Sequence, residues 1–184
     1  MRTTFYIAAL SFSMLLVSCG NKPKEGHSNE ILYSMQEESA DGLQRMQSSR
    51  VEQDVVWNGK NYHFVINRVA NDSLPKIKDE AGDVFVDNTI TLSIKRNKGE
   101  RFFDKTFTKK SFASILDDKF VSHAMLEGMV YDKVTDQGMI FAASVSYPQS
   151  DLFVPVIITI AANGTMTLRK ELFLDENRVD SVEQ

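Results

Sequence analysis

The feature that most constrains the fold of this chain is a regular alternation of apolar and polar side chains between residues 84 and 95. An apolar set of residues occupies even-numbered positions and a polar set occupies odd-numbered ones. The apolar set is Val84, Val86, Ile90, Leu92 and Ile94, and the polar set is Asp87, Thr89, Thr91, Ser93 and Lys95. A period of two places one set on each face of a β-strand. This segment is therefore predicted to be a half-buried strand with Asp87 on its solvent face.

The same period recurs along the chain, interrupted by short turn-forming segments such as Asn58-Gly59. The remaining predicted strands occupy residues 51–57, 60–69, 103–107, 125–134, 139–147, 153–160 and 165–174. Short turns join antiparallel neighbours. The sequence predicts a mostly β domain over residues 51–175, an antiparallel meander of about eight strands closing as a barrel or a sandwich. The alternative is an α+β fold in which a helix packs on an antiparallel sheet.

One segment departs from the alternation, at residues 109–121. Phe112, Ile115, Leu116 and Phe120 lie at helical spacing there. Thr108 or Ser111 can cap the start, because a side-chain oxygen satisfies a free backbone N–H at a helix N-terminus. The sequence therefore predicts one short helix.

The first 18 residues have the composition of a secretory signal peptide. Arg2 precedes an apolar run from Phe5 to Val17. This run is shorter than the roughly 20 residues that a membrane-spanning helix needs. A basic start followed by a short apolar stretch is typical of a cleaved export signal.

Cys19, the one cysteine in the chain, follows this run directly. Leu16, Val17 and Ser18 before it resemble the lipobox that signal peptidase II cuts in bacterial lipoproteins. The resemblance implies that Cys19 becomes the mature N-terminus, with a diacylglyceryl group joined to its thiol as a thioether and an acyl chain such as palmitate on its amine. Two or more chains make a stable membrane anchor. With the thiol blocked as a thioether, no cysteine is left for a disulfide, so core packing alone has to hold the fold.

A polar segment separates the cysteine from the first predicted strand. Residues 19–50 are predicted to be a tether. Short helical turns are possible around Ile31, Leu32 and Met35, and around Leu43 and Met46. Residues 176–184 are predicted to be a flexible tail.

Charge and motifs limit the possible chemistry. The formal net charge of −4 gives no electrostatic reason to bind nucleic acid. The sequence lacks HExxH, GxSxG and the glycine-rich phosphate-binding motifs, and its three histidines are widely spaced. No catalytic residue, metal site or cofactor is predicted, which leaves enzymatic activity open but disfavoured.

Two serines lie in a pattern associated with modification. Asp72-Ser73-Leu74 and Asp180-Ser181-Val182 resemble the acceptor for O-glycosylation in exported proteins of Bacteroides-type bacteria. The resemblance implies that Ser73 and Ser181 are glycan acceptors.

The lipobox, the tether and the β-rich segment around GMIFAASVSYPQSDLFVPVIITIAANG resemble the domain of unknown function 4738 family of Bacteroides-type lipoproteins. This resemblance supplies no known activity or site. Gly20 implies export to the outer membrane, since an Asp after the lipidated cysteine would favour retention at the inner membrane. The single acid among the first residues after Gly20 favours the periplasmic face over the cell surface.

The functional prediction is a lipid-anchored binding or protein-interaction module of the cell envelope. Its expected partners are the membrane, through the lipid, and an envelope protein or a small ligand. One alternative is a hydrolase that uses His63 or His123 with an acid. Another is a structural subunit of an envelope complex. A deep pocket with converging polar groups would favour a ligand, whereas a flat apolar patch would favour a protein partner.

Overall fold

The structure is a computed structural model of the 184-residue chain, and it describes residues 36–38, 40–96 and 99–171. The predicted signal peptide, the tether as far as Met35 and the tail at 176–184 lie outside the described residues. Within the part of the chain that is described, no helix is both long and apolar enough to cross a bilayer.

The described residues form twelve β-strands, one α-helix and one 3-10 helix. The helices are α1 (Asp118–His123) and the 3-10 helix Lys109–Phe112. The strands are β1 (Gln36–Glu38), β2 (Leu43–Met46), β3 (Ser49–Trp57), β4 (Lys60–Ala70), β5 (Ile77–Lys78), β6 (Val84–Phe85), β7 (Asn88–Arg96), β8 (Glu100–Phe107), β9 (Met125–Thr135), β10 (Gly138–Ser146), β11 (Phe153–Ile160) and β12 (Met166–Lys170).

These strands make three four-stranded sheets. The first large sheet has the order β3-β4-β7-β8 and the second has the order β12-β11-β10-β9, and both are antiparallel throughout. The small sheet has the order β1-β2-β6-β5, and in it β2 and β6 run parallel. The mostly β prediction is confirmed. The sheets fit a sandwich and do not close into a barrel.

The two large sheets share one apolar core because their alternating inward side chains meet. The Phe64 ring of β4 lies 5.4 Å from the Phe141 ring of β10 and 5.0 Å from the Tyr131 ring of β9. Leu92 and Ile94 of β7 are fully buried in the same cluster, as the alternation predicted.

The small sheet corrects the predicted boundary of the tether. Leu43 and Met46 belong to a strand, so the helical turn predicted there is wrong, and residues 43–50 are part of the folded domain. Met46 is buried with Ile77, Phe85 and Met125. The strand forms because β6, distant in sequence, supplies its parallel partner. Such tertiary pairing overrides a weak local preference.

The helix predicted over residues 109–121 occurs as two short pieces. In the first, Thr108 N donates to Ser111 Oγ at 3.1 Å, so the predicted capping residues face each other. Asp117 then starts α1 anew, because its Oδ1 accepts from Phe120 N at 3.1 Å. A side chain that caps a helix start favours a break before it.

Asp87 is not on the solvent face, contrary to the prediction, but is 1% exposed. Its Oδ1 accepts from Leu126 N at 2.8 Å, and Asn88 Nδ2 donates to Leu126 O at 2.9 Å. Two side chains next to each other thus occupy the backbone groups of Leu126 as a neighbouring strand would. Asp87 was predicted to face water. It is buried because its carboxylate accepts a hydrogen bond from the edge of β9, at Leu126 N.

The backbone on either side of Leu126 is bound in the same way. Lys109 Nζ donates to Ala124 O at 2.7 Å, and Arg68 NH1 donates to Glu127 O at 2.6 Å. Because β9 pairs only with β10 within its sheet, these contacts close the first part of its other edge. We call residues 124–127 the bound start of β9.

Candidate functional site

A groove of about 810 Å³ opens between two loops and the end of α1. One rim consists of Lys78 at the end of β5 and Glu80 in the turn that follows, and the other is the β10–β11 loop, with Tyr147 and Leu152. His123, the last residue of α1, lies between them. We call this the α1 groove.

Local hydrogen bonds give both rims a defined shape. The Asp79 carboxylate accepts from Gly82 N and from Asp83 N, each at 2.8 Å. Tyr147 N donates to Leu152 O at 2.9 Å and so closes the opposite loop. Side chains that bond backbone two to four residues on are the usual way in which Asp orders a turn.

Aromatic rings form one wall of the α1 groove. Tyr147 stacks on Phe120 of α1 with 5.1 Å between ring centroids and 17° between planes. The His123 ring lies 6.1 Å from Tyr147, and its Nδ1 lies 2.8 Å from Ser122 Oγ and 3.0 Å from Lys119 O. The stack fixes the position of the Tyr147 ring before any ligand arrives.

Buried neighbours anchor the groove to the rest of the domain. Ile77, directly before Lys78, and Met125, two residues after His123, are buried in one apolar cluster. The β5 side of the groove and the end of α1 are therefore connected through side chains that exclude water.

The lining combines a few charged and polar groups with apolar surface. Lys78, Glu80 and His123 offer ionic or hydrogen-bonding groups, and Leu152 is 52% exposed beside them. Concave sites that combine apolar surface with a few placed polar groups bind small ligands. The arrangement is suited to holding an amphiphilic molecule.

The two histidines considered for hydrolysis lie on different elements. His63 of β4 pairs with Asp54 of β3, with 2.8 Å between Nδ1 and Oδ1, and the Asp54 side chain is 87% exposed. His123 has Ser122 beside it, but Ser122 Oγ also donates to Lys119 O at 2.7 Å, which is an ordinary contact within a helix. Neither pair makes a nucleophile, base and acid chain of the kind that acyl transfer requires.

A second group of titratable side chains is buried and serves the fold. Lys109 Nζ and Asp87 Oδ2 lie 3.6 Å apart with side chains 8% and 1% exposed. Burial raises the pKa of Asp87 and lowers the pKa of Lys109, so for both groups the loss of hydration outweighs their mutual attraction. With so little exposed surface, the pair has no access to a ligand.

A basin of about 460 Å³ lies on the outer face of the second large sheet. Ile140 and Ile157 form its floor, and Lys133, Asp136 and Arg169 stand around it. We call this the outer basin. Its rim charges are exposed and of both signs, which makes it a useful comparison for the α1 groove.

Among the described residues, no group of three or more His, Cys, Asp or Glu side chains is placed to hold a metal ion. Ser73 is exposed in the turn after β4, where a glycan has room. Arg45 NH2 donates to Asp72 Oδ1 at 2.7 Å, and this contact lowers the pKa of Asp72. Cys19, its lipobox Leu16, Val17 and Ser18, and Ser181 lie outside the described residues and stay predictions.

Sequence reasoning had considered His123 but not the other lining residues. Lys78 and Glu80 are about 70 positions from Tyr147 and Leu152, so no local motif connects them. The visible signal was only that residues 148–151, Pro-Gln-Ser-Asp, form a turn.

Comparison with known proteins gives a family and no activity. No curated protein matches the chain. The family described as "Domain of unknown function (DUF4738)" matches residues 29–168, which include all three sheets except the last residues of β12. The match begins before β1, in agreement with a folded region that starts earlier than residue 51. The chain therefore belongs to the DUF4738 family.

Proposed function

We propose that this protein is a lipid-anchored binding module of the cell envelope and that its α1 groove takes a small amphiphilic ligand. The observation that carries the proposal is the meeting of charged groups and a fixed aromatic wall in one concavity of about 810 Å³. Pockets for small molecules have volumes of roughly 300–1,000 Å³. A flat apolar patch, which would have favoured a protein partner, is not what this surface presents.

The lining indicates what the ligand contains. Tyr147 and Leu152 offer apolar area to a ring or a short alkyl group. Lys78 on the same rim as Glu80 suits a ligand that carries both an anionic and a cationic or hydroxyl group. Amino acids, short peptides and amino sugars have this chemistry.

Anchoring is proposed from the N-terminal sequence. Leu16, Val17 and Ser18 before Cys19 support attachment of a diacylglyceryl group to the thiol, and Gly20 supports transfer to the outer membrane. The domain would then sample ligands at the periplasmic face of that membrane. A tethered binding site meets ligands close to the surface at which it is held.

A thermal-shift screen of the purified protein tests the groove. The probes are amino acids, di- and tripeptides, and neutral and amino sugars, each at millimolar concentration. A ligand at about 100 times its Kd stabilises the folded state by about 2.7 kcal/mol, which is readily measured. We expect at least one probe class to raise the melting temperature of the wild type.

The matched control uses two pairs of exposed polar or charged side chains. The double variant Glu80→Ala and His123→Ala removes polar groups of the α1 groove, whereas Lys133→Ala and Asp136→Ala removes rim charges of the outer basin. The shift should disappear in the first and persist in the second. A shift that survives the groove variant, or no shift with any probe, would contradict the proposal.

A further inference from the structure

The first large sheet ends in a long regular edge. β3 pairs with β4 over all nine of its residues, from Ser49↔Arg68 to Trp57↔Lys60, without a register shift. Among the described residues it has no partner on its other side. Its Val51 and Val56 side chains are 53% and 65% exposed. A long edge with exposed apolar side chains is a template for adding another strand.

The other strand edges of the two large sheets are interrupted or covered. β9 has two register shifts along β10, its bound start is held by side chains, and Trp57 Nε1 donates to Thr135 O at its far end. β8 has a register shift along β7, and the turn at Gly164 approaches Phe102 O. β12 has five residues. Bulges and covering groups of this kind prevent pairing, and in the described part of the chain β3 has neither.

We propose that β3 is a homodimer interface, in which β3 of a second copy pairs antiparallel with it about a two-fold axis at Val51. The resulting sheet would run through eight strands, four from each copy. This interface is separate from the α1 groove and does not depend on the function proposed for it.

Charge favours this register over the neighbouring ones. With the axis at Val51, Arg50 lies opposite Glu52 of the second copy, and the symmetry repeats the contact. Moving the axis to Glu52 would place two Glu52 side chains opposite each other, and moving it to Gln53 would oppose Glu52 and Asp54. Like charges directly opposite each other destabilise an antiparallel pair.

On the outer face of the sheet, Arg50 and Glu52 already form an ion pair within one chain. Arg50 NH2 and Glu52 Oε2 lie 3.0 Å apart within one chain, with side chains 60% and 55% exposed. Two such pairs brought together make a square of alternating charge, so each group gains a second opposite neighbour.

The position of Val51 supports the same axis. It shares a face with the buried Val55 and lies opposite the buried Ile66, but it is itself 53% exposed. Pairing at the axis would bring two Val51 side chains together at the rim of the core and remove their apolar surface from water.

Oxidative cross-linking of the full chain tests the register. Directly opposite residues have Cα atoms about 4.5–5.5 Å apart, within the range that a disulfide spans. A Val51→Cys chain should form a covalent dimer under mild oxidation. Val56→Cys is the matched control, because at about 3.3 Å per residue its two copies would lie more than about 30 Å apart. The wild type controls for Cys19.

Linkage at Val51→Cys but not at Val56→Cys supports the dimer. Equal linkage at both positions shows random collision and overturns it, as does the absence of any linkage. A disulfide from Val51→Cys to a different protein would show that β3 takes another partner and would also overturn the proposal.

Charge reversal provides an independent measurement. Arg50→Glu and Glu52→Arg should each weaken self-association at least about tenfold. Each variant replaces the two pairs of unlike charge across the interface by two pairs of like charge. An equimolar mixture of the two variants should regain dimer, since each chain then offers the charges that the other lacks. Sedimentation of the singles and the mixture decides this, and a mixture that remains monomeric contradicts the proposed register.

Discussion

At the level of single residues, side chains replace a missing strand along the bound start of β9. Asp87 and Asn88 hold the backbone of Leu126, while Lys109 and Arg68 hold its neighbours. Ionised groups lose hydration on burial, and the raised pKa of Asp87 and lowered pKa of Lys109 record that loss. These contacts satisfy the backbone groups along one edge of β9. The structural role of Asp87 and Lys109 is therefore to complete that edge, in spite of the hydration that they lose on burial.

The charge pair gives a prediction about stability. Lys109→Met leaves Asp87 buried without an opposite charge, and we expect a loss of about 3–5 kcal/mol in the free energy of unfolding. Asp87→Asn in the same chain keeps an oxygen for Leu126 N and removes the charge. The double variant should therefore be more stable than Lys109→Met alone. Urea unfolding of the three variants measures this, and simple addition of the two single effects would contradict it.

At the level of elements, the strands in which apolar and polar side chains alternate could be predicted from the sequence. In residues 84–95 the prediction is right for β7, where Ile90, Leu92 and Ile94 face the core. The single strand predicted over the whole segment is wrong, because Val84–Phe85 form β6 in the small sheet and β7 begins only at Asn88. Where pairing depends on distant residues, the sequence carries no such period. The short strands β2 and β6 are four and two residues long, and each is stabilised by the other.

The candidate groove was beyond sequence reasoning for the same reason. Lys78 lies at the end of β5 and Tyr147 in the β10–β11 loop, and only the tertiary fold places them in one groove. Asp87 could not be recognised as buried, because a polar residue in an alternating segment is usually on the solvent face. Trp57, in contrast, was visible as a large apolar residue beside a turn, and it is 4% exposed.

The β9–β10 hairpin provides a prediction about an element. A Cβ at Gly138 would be pressed against the Ile160 carbonyl, with its carbon only 2.8 Å away. Gly138→Ala should therefore destabilise the domain by about 1–3 kcal/mol, as other overpacking changes do. Gly128→Ala on the same pair of strands meets nothing within 4 Å and should cost at most about 0.5 kcal/mol. Equal melting temperatures for the two variants would contradict this packing.

At the level of the whole molecule, a folded DUF4738 domain over three sheets follows an N-terminal sequence that resembles an export signal with a lipobox. The groove and the β3 edge belong to different parts of the domain, so ligand binding and self-association can be tested separately. What makes either of them a property of the cell envelope is the proposed acyl anchor at Cys19.

The most direct test of this account is the mass of the N-terminal peptide of the mature protein, isolated from its native host. We predict that residues 1–18 are absent and that Cys19 is the first residue, with a diacylglyceryl thioether on its sulfur and an acyl chain on its amine. A mature protein that retains residues 1–18, or that begins with an unmodified Cys19, would contradict the account.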